Sequence, residues 1–311
     1  MGITAEAALK SDQRLHRIRE DKRHFDLSVL RCWLGLSTAA DACFSSSGLS
    51  CESARFQDPV LVSLDTEGQL ITEFGLSILD TRDLQNLAAT DDLAAAISNH
   101  NFILRKRWGR DDKHFKFGTS KSLEPRWTRW VLEKVLRTGS LDPDCVEPRN
   151  VILVGHALAG DLQLLTRQPK GKFDILDFPD IPIIDTSHFG RTFFDLRSDP
   201  SLVVLANRLG IKKSSRGFYN HNAGNDANMT LKVLIMFAVK SCGEEVTDTQ
   251  RERMELLTKV IETSKPGRWV EVCSEDRDRL NEEHKRTRAE DWTANFEDSF
   301  GFSNMVYEGV I

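Results

Sequence analysis

An α/β layer structure with a mixed sheet is the fold class this sequence predicts, and three observations predict it. Behind Pro59, the run Val60, Leu61, Val62, Ser63, Leu64 has strand length and enough apolar density for a mostly buried strand. Residues 70–79 follow with partial alternation across a short turn at Gly68 and Gln69, which makes the two runs antiparallel neighbours. From Glu124 onward, segments of helical periodicity alternate with short apolar runs, the pattern of helices layered on a sheet.

A third strand is expected near Asn101 to Arg105. Glu124 to Arg137 carries Trp127, Trp130, Val131, Val135 and Leu136 at helical spacing, with Pro125 suited to a first helical turn. Val151 to Val154 reads as a buried strand, and Gly155 and Gly160 bracket the turn into a following helix. Ile181 to Asp185 reads as a fifth strand interrupted by Pro182, and Leu202 to Leu209 as a short helix. Gly224 to Val239 predicts a helix that buries Met229, Leu231, Val233, Leu234 and Phe237. At the flanks, Leu27 to Leu36 reads as a packed amphipathic helix and Glu244 to Ser264 as a charged helix stopped by Lys265, Pro266 and Gly267. The implied division is 1–57, a helical extension with a Ser-rich linker at Ser45 to Ser47; 58–243, the α/β domain; and 244–311, a charged helix and tail.

Three acidic fragments fall where these elements begin or end: S-L-D-T-E at 63–67, V-G-H-A-L-A-G-D at 154–161 and H-N-A-G-N-D-A at 221–227. Strand side chains alternate, so Asp65 and Glu67 point to one face. Asp161 opens the helix after Gly160, and Asp226 lies in the first turn of the helix that begins at Gly224. Alone, each has a structural reading: an Asp at a strand end or a helix start is a common turn or cap residue. Together, four carboxylates and His221 are what two-metal phosphodiester cleavage requires. Mg2+ or Mn2+ prefers hard oxygen ligands, two such ions about 4 Å apart can grip an in-line displacement, and a histidine can take the proton of the attacking water.

The order and form of these fragments resemble the DEDDh group of 3′ to 5′ exonucleases, over roughly residues 58 to 241. Asp65 and Glu67 match its D-x-E motif, Asp161 the Asp of its second motif, and His221 with Asp226 its H-x-x-x-x-D motif, here in the fuller H-x-A-x-x-D-A form. The second fragment is similar to the V-G-H-A-x-x-x-D-L of RNA-trimming eukaryotic members, and the arrangement resembles a fungal branch that includes an exonuclease working beside Argonaute. The resemblance implies an RNase H-like mixed five-stranded sheet flanked by helices, with helical terminal extensions. It also implies two Mg2+ or Mn2+ ions held by Asp65, Glu67, Asp161 and Asp226, with His221 as general base. The substrate implied is a single-stranded 3′ end, RNA rather than DNA. The chain departs from many proofreading members at Gly68 and Gln69, where they carry two threonines, and at Ala157 and Gly160. A nuclease-like fold serving as a nucleic-acid-binding or protein-interaction module is the competing reading.

A net charge of −5 argues against bulk attraction to nucleic acid and directs binding to local patches. Arg105, Lys106, Arg107, Arg110, Lys113, Lys116 and Lys121 interleave with Trp108, Phe115 and Phe117, so phosphate contacts and base stacking can coexist there. Lys212, Lys213 and Arg216 form a second basic cluster just before His221. Thr66 and His156, inside the first two motifs, are further candidates for touching the substrate. The six cysteines show no C-x-x-C pair or zinc-ligand spacing, so reduced thiols in the cytosol or nucleus are expected. No run approaches the ~20 apolar residues of a membrane span, and the terminal segments, with Phe296, Phe300, Phe302 and Tyr307, are candidates for docking on the core or on a protein partner.

Overall fold

In the computed structural model the described residues are 27–37, 57–85, 87, 92–104, 115–142, 144–211, 222–243 and 245–263. In chain order they form α1 (Leu27–Trp33), β1 (Val60–Glu67), β2 (Glu73–Asp80), α2 (Thr81–Gln85), β3 (Ser98–Ile103), β4 (Lys121–Ser122), α3 (Thr128–Thr138), β5 (Val151–Gly155), α4 (Ala159–Thr166), β6 (Ile183–Asp185), α5 (Thr186–Phe193), α6 (Leu202–Arg208), α7 (Ala223–Lys240) and α8 (Asp248–Thr263). All lie in the first of two compact units, Met1–Arg268; the second, Trp269–Ile311, falls outside the described residues, as do the four tail aromatics named above.

The sheet is mixed and runs β4-β3-β2-β1-β5-β6. β2 is antiparallel to β1, with Asp65 opposite Gly75 and Glu67 opposite Glu73, while β5 runs parallel to β1 on the other side. The five expected strands are present, and β4 adds a sixth of two residues beside β3. Two residues carry no periodicity, so no side-chain pattern could announce it. β3 begins at Ser98, three residues earlier than expected, because its polar residues are buried and paired. Ser77 Oγ donates to Asn99 Oδ1 at 2.7 Å, Asn228 Nδ2 donates to the same oxygen at 2.7 Å, and Asn101 Nδ2 donates to Ser120 Oγ at 2.8 Å. Such pairing lets amides occupy interior positions where the usual strand signal is apolar.

Helix α7 is the hub of the core. Fifteen of its residues are buried, and it lies against β1, β2, β3 and β5. Its start is clamped to the sheet. Asn222 Oδ1 accepts from Asn225 N at 3.0 Å, a helix cap; the Glu73 carboxylate accepts from Ala223 N at 2.9 Å and from the Asn222 amide; and Asn101 Oδ1 accepts from Gly224 N at 2.8 Å. Gly75 makes the close approach possible, since a Cβ there would stand 2.1 Å from Ala223 O.

The flanking helices cover the far side of α7. Leu30 of α1, Leu34 just after it, and Leu257 and Val260 of α8 are at most 1% exposed and belong to one core with Leu231, Leu234 and Phe237. Buried main-chain carbonyls at the ends of α1 and α2 are satisfied by α8: Arg253 Nε donates to Leu34 O at 2.8 Å, its Nη1 to Leu84 O, and Gln250 Nε2 to Leu36 O at 2.9 Å. Thus α1 and the first part of the charged C-terminal segment pack as core elements rather than as loose appendages. Among the described residues no helix is long and apolar enough to cross a membrane.

The seam at Gly75 has a measurable consequence. Gly75→Ala puts a methyl group into a backbone carbonyl that cannot swing aside, and the substitution is expected to lower the unfolding free energy by about 3 kcal/mol, read from urea denaturation followed by circular dichroism.

Candidate active site

The strand alternation of β1 places Asp65 and Glu67 on one face at its C-terminal end. The register that sets Asp65 opposite Gly75, and the contact of Gly75 with Ala223, bring the first turn of α7 to the same place. One carboxylate oxygen each of Asp65, Glu67 and Asp226 therefore lies within 4.8 Å of the others, and all three residues are partly buried. That is a fitting donor set for a hard divalent cation, three convergent oxygens with no soft ligand.

Asp161 arrives from the other neighbour of β1. It sits in the first turn of α4, where its Oδ1 accepts from Thr66 N at 3.0 Å and from Thr66 Oγ1 at 2.6 Å. The motif's middle residue, expected to touch substrate, thus grips the carboxylate of the second motif. Asp161 is not one of the three mutually close carboxylates, but its charge acts on Asp65.

The turn that delivers Asp161 is held by Asp185, the last residue of β6. Ala157 has a φ of 54°, a left-handed conformation unusual for a residue with a Cβ. Asp185, 3% exposed, steadies it by accepting from Ala157 N at 3.0 Å and Leu158 N at 3.2 Å, as well as from Ser187 N at 3.0 Å and Ser187 Oγ at 2.6 Å. His156, in the same turn, has Nδ1 3.0 Å from Thr186 Oγ1, and that hydroxyl donates its one proton to Gly155 O. Burial pushes the His156 pKa down, which favours the neutral ring.

Glu73 is the residue that sequence reading missed. It sits opposite Glu67, ties the start of α7 to the sheet, and adds a further like charge near Asp65. A strict hairpin register counted back from Glu67 would have pointed to it; its partner Asn222, 149 positions away, could not have been read. Asp80, at the opposite end of β2, pairs with Arg149 at 2.6 Å. His221, Arg105, Lys106, Arg107, Trp108, Lys212 and Lys213 lie outside the described residues.

Burial, with crowding of like charge added to it, sets the electrostatics. The Asp65 carboxyl is held well above its ordinary value, first by burial and then by Asp161, Asp226, Glu67 and Glu73. Asp161 is pushed up to about 6 by burial, against the lowering effect of its bonds from Thr66. A divalent cation would take the place of the protons these groups retain.

The sign of the resulting pH dependence follows. Carboxyls whose folded pKa is raised favour folding at pH values below their unfolded pKa, and that contribution is lost as pH rises through the folded values, about 6 for Asp161. The metal-free protein is expected to lose thermal stability as pH rises through that range. Mg2+ or Mn2+ should raise the midpoint more at about pH 8 than at about pH 5, and Asp65→Asn should flatten the metal-free profile; calorimetry with and without EDTA reads all three.

Comparison with known proteins adds one finding. Residues 60–237, more than half of the chain, match the DEDDh family described as DNA polymerase III subunit epsilon-like, C-terminal domain. No curated protein matches the chain.

Proposed function

The chain belongs to the DEDDh exonuclease family, and on that premise we propose that it removes nucleotides from the 3′ end of single-stranded nucleic acid, RNA in preference to DNA. The observation that carries the proposal is the convergence of Asp65, Glu67 and Asp226 from two of the three motifs onto one point, with Asp161 of the remaining motif bonded to Thr66 between the two strand carboxylates. RNA preference rests on the form of V-G-H-A-L-A-G-D, and kinship with the fungal branch that includes the Argonaute-associated enzyme on the overall arrangement of the three fragments.

In this reading Asp65, Glu67 and Asp226 would hold the cations, with Asp161 completing the set. Two divalent ions, when bound, supply Lewis acidity and charge neutralisation at the scissile phosphate. The side chains do the rest. Thr66 orients Asp161, Asp185 holds the turn from which Asp161 projects, and Glu73 fixes the start of α7 and so the place of Asp226. His221 takes the proton of the attacking water. In the chain it precedes Asn222, whose side-chain amide is bonded to Glu73.

The decisive assay uses single-stranded RNA and DNA labelled at either end, with Mg2+, Mn2+ or EDTA. Release of mononucleotides from the 3′ end that needs the metal, and falls about 10²- to 10⁴-fold in His221→Ala and further in Asp65→Asn, is the expected result. Binding with no cleavage above these variants on any substrate would favour a binding module. Thr66→Val keeps the shape but removes the hydroxyl bond to Asp161, and is expected to cost about 10- to 100-fold in metal affinity or activity, measured by titrating Mn2+ into the cleavage reaction.

A further inference from the structure

The face of α7 turned toward β3 carries a cation that the proposed chemistry does not use. Asn225, Asn228 and Lys232 recur at i, i+3 and i+7, so they line one stripe. Asn225 Oδ1 accepts from Lys116 N at 3.0 Å, Asn228 bonds to Asn99 of β3, and the Lys232 ammonium lies 5.1 Å from the centre of the Phe117 ring. Lys232 is only 8% exposed, and among the described residues none accepts a hydrogen bond or ion pair from its ammonium. A lysine desolvated to this degree without a counter-charge is costly, and an aromatic face offsets only part of the cost. Burial and the neighbouring Lys116 charge draw it down to about 8, so it still bears a positive charge for much of the time at neutral pH.

Its surroundings are cationic as well. The segment Phe115 to Ser122 contains two lysines, two phenylalanines and no acidic residue. At the neighbouring strand, His100 is lowered to about 4 by burial and by the charge of Lys121. On a chain of net charge −5, this sheet edge is a local positive region. It adjoins the acidic site: Asn225, which contacts Lys116, is the neighbour of Asp226, and Lys232 follows Asp226 by six residues, about 9 Å of helix axis at ~1.5 Å per residue.

We propose that Lys232 and Lys116 together bind one backbone phosphate of a single-stranded nucleic acid, with the Phe117 ring holding the Lys232 ammonium in place, so that the strand runs along this edge of the sheet to the carboxylates. The inference rests on the exonuclease reading for the direction of the strand. The contact itself is to phosphate alone and is independent of base and sugar.

The test measures affinity by fluorescence anisotropy for single-stranded RNA and DNA 12-mers whose 3′-terminal linkage is a phosphorothioate, over a range of salt concentrations. One lost phosphate contact lowers the steepness of log K against log salt by about 0.7 for a single strand. Lys232→Met and Lys116→Met are each expected to show that decrease on both polymers, and Lys232→Arg to keep the wild-type slope. A thermal midpoint of Lys232→Met at or above that of the wild type shows that the loss is not unfolding, and exposed Lys116 supplies the same reading if that variant fails to fold. Slopes equal to the wild type in both methionine variants, a change on one polymer only, or no measurable binding by the wild type would overturn the proposal. Cleavage by the wild type is followed in parallel: cleavage with unaltered slopes removes this contact and leaves the exonuclease, whereas altered slopes without cleavage leave the contact and remove the exonuclease.

Discussion

The backbone of α7 meets the backbone of β2 at Gly75, and the position of the acidic site depends on that meeting. Any side chain at Gly75 would collide with Ala223 O, so the helix can start where it does only because the strand is bare at this point. Glu73 and Asn101 then capture the first amides of the helix, donors that have no partner within the helix. With its start fixed, the helix delivers Asp226 one turn later to the end of β1. The same seam leaves Asn225, Asn228 and Lys232 on a stripe toward β3 and the segment Phe115 to Ser122, where they find their neighbours.

Electrostatics works against this construction. Carboxyls brought together and partly buried raise one another's pKa, so without a cation the site destabilises the fold that presents it. The compensation lies on the other side of α7, where α1 and α8 bury Leu30, Leu34, Leu257 and Val260 and Arg253 closes the main-chain carbonyls between them. Segments outside the sheet thereby contribute core packing to the helix that carries Asp226. Strain is managed in the same manner at the second motif, where Asp185 supplies the acceptors that hold Ala157 in its left-handed conformation.

Charge is distributed unevenly. The end of β1 gathers acids, while the edge formed by β3, β4 and Phe115 to Ser122 gathers lysines, though the whole chain is mildly acidic. Net charge is therefore a poor guide to where a polyanion would approach, and local arrangement is what matters over a screening length of about 8–10 Å.

How much could be read without coordinates depends on the range of the interactions involved. The acidic fragments were legible because each is a local pattern: alternation puts Asp65 and Glu67 on one face, and a helix start places Asp161 and Asp226 in first turns. Apolar runs made β1, β5 and α7 visible for the same reason. The extent of β3 was not, because Asn99 is interior only by virtue of bonds from Ser77 and from Asn228, 129 positions away. Nor was the hold of Thr66 on Asp161 across 95 positions, or that of Glu73 on the start of α7. Nor does any local pattern show that Phe117 lies over Lys232, 115 positions away. Neighbouring residues are enough to read most of the elements and the chemistry of their ends, β4 and the start of β3 excepted. Which ends meet, what steadies each carboxylate and where the lysines stand depend on backbone contact at a glycine and on hydrogen bonds across a hundred residues, which leave no periodic trace in the chain.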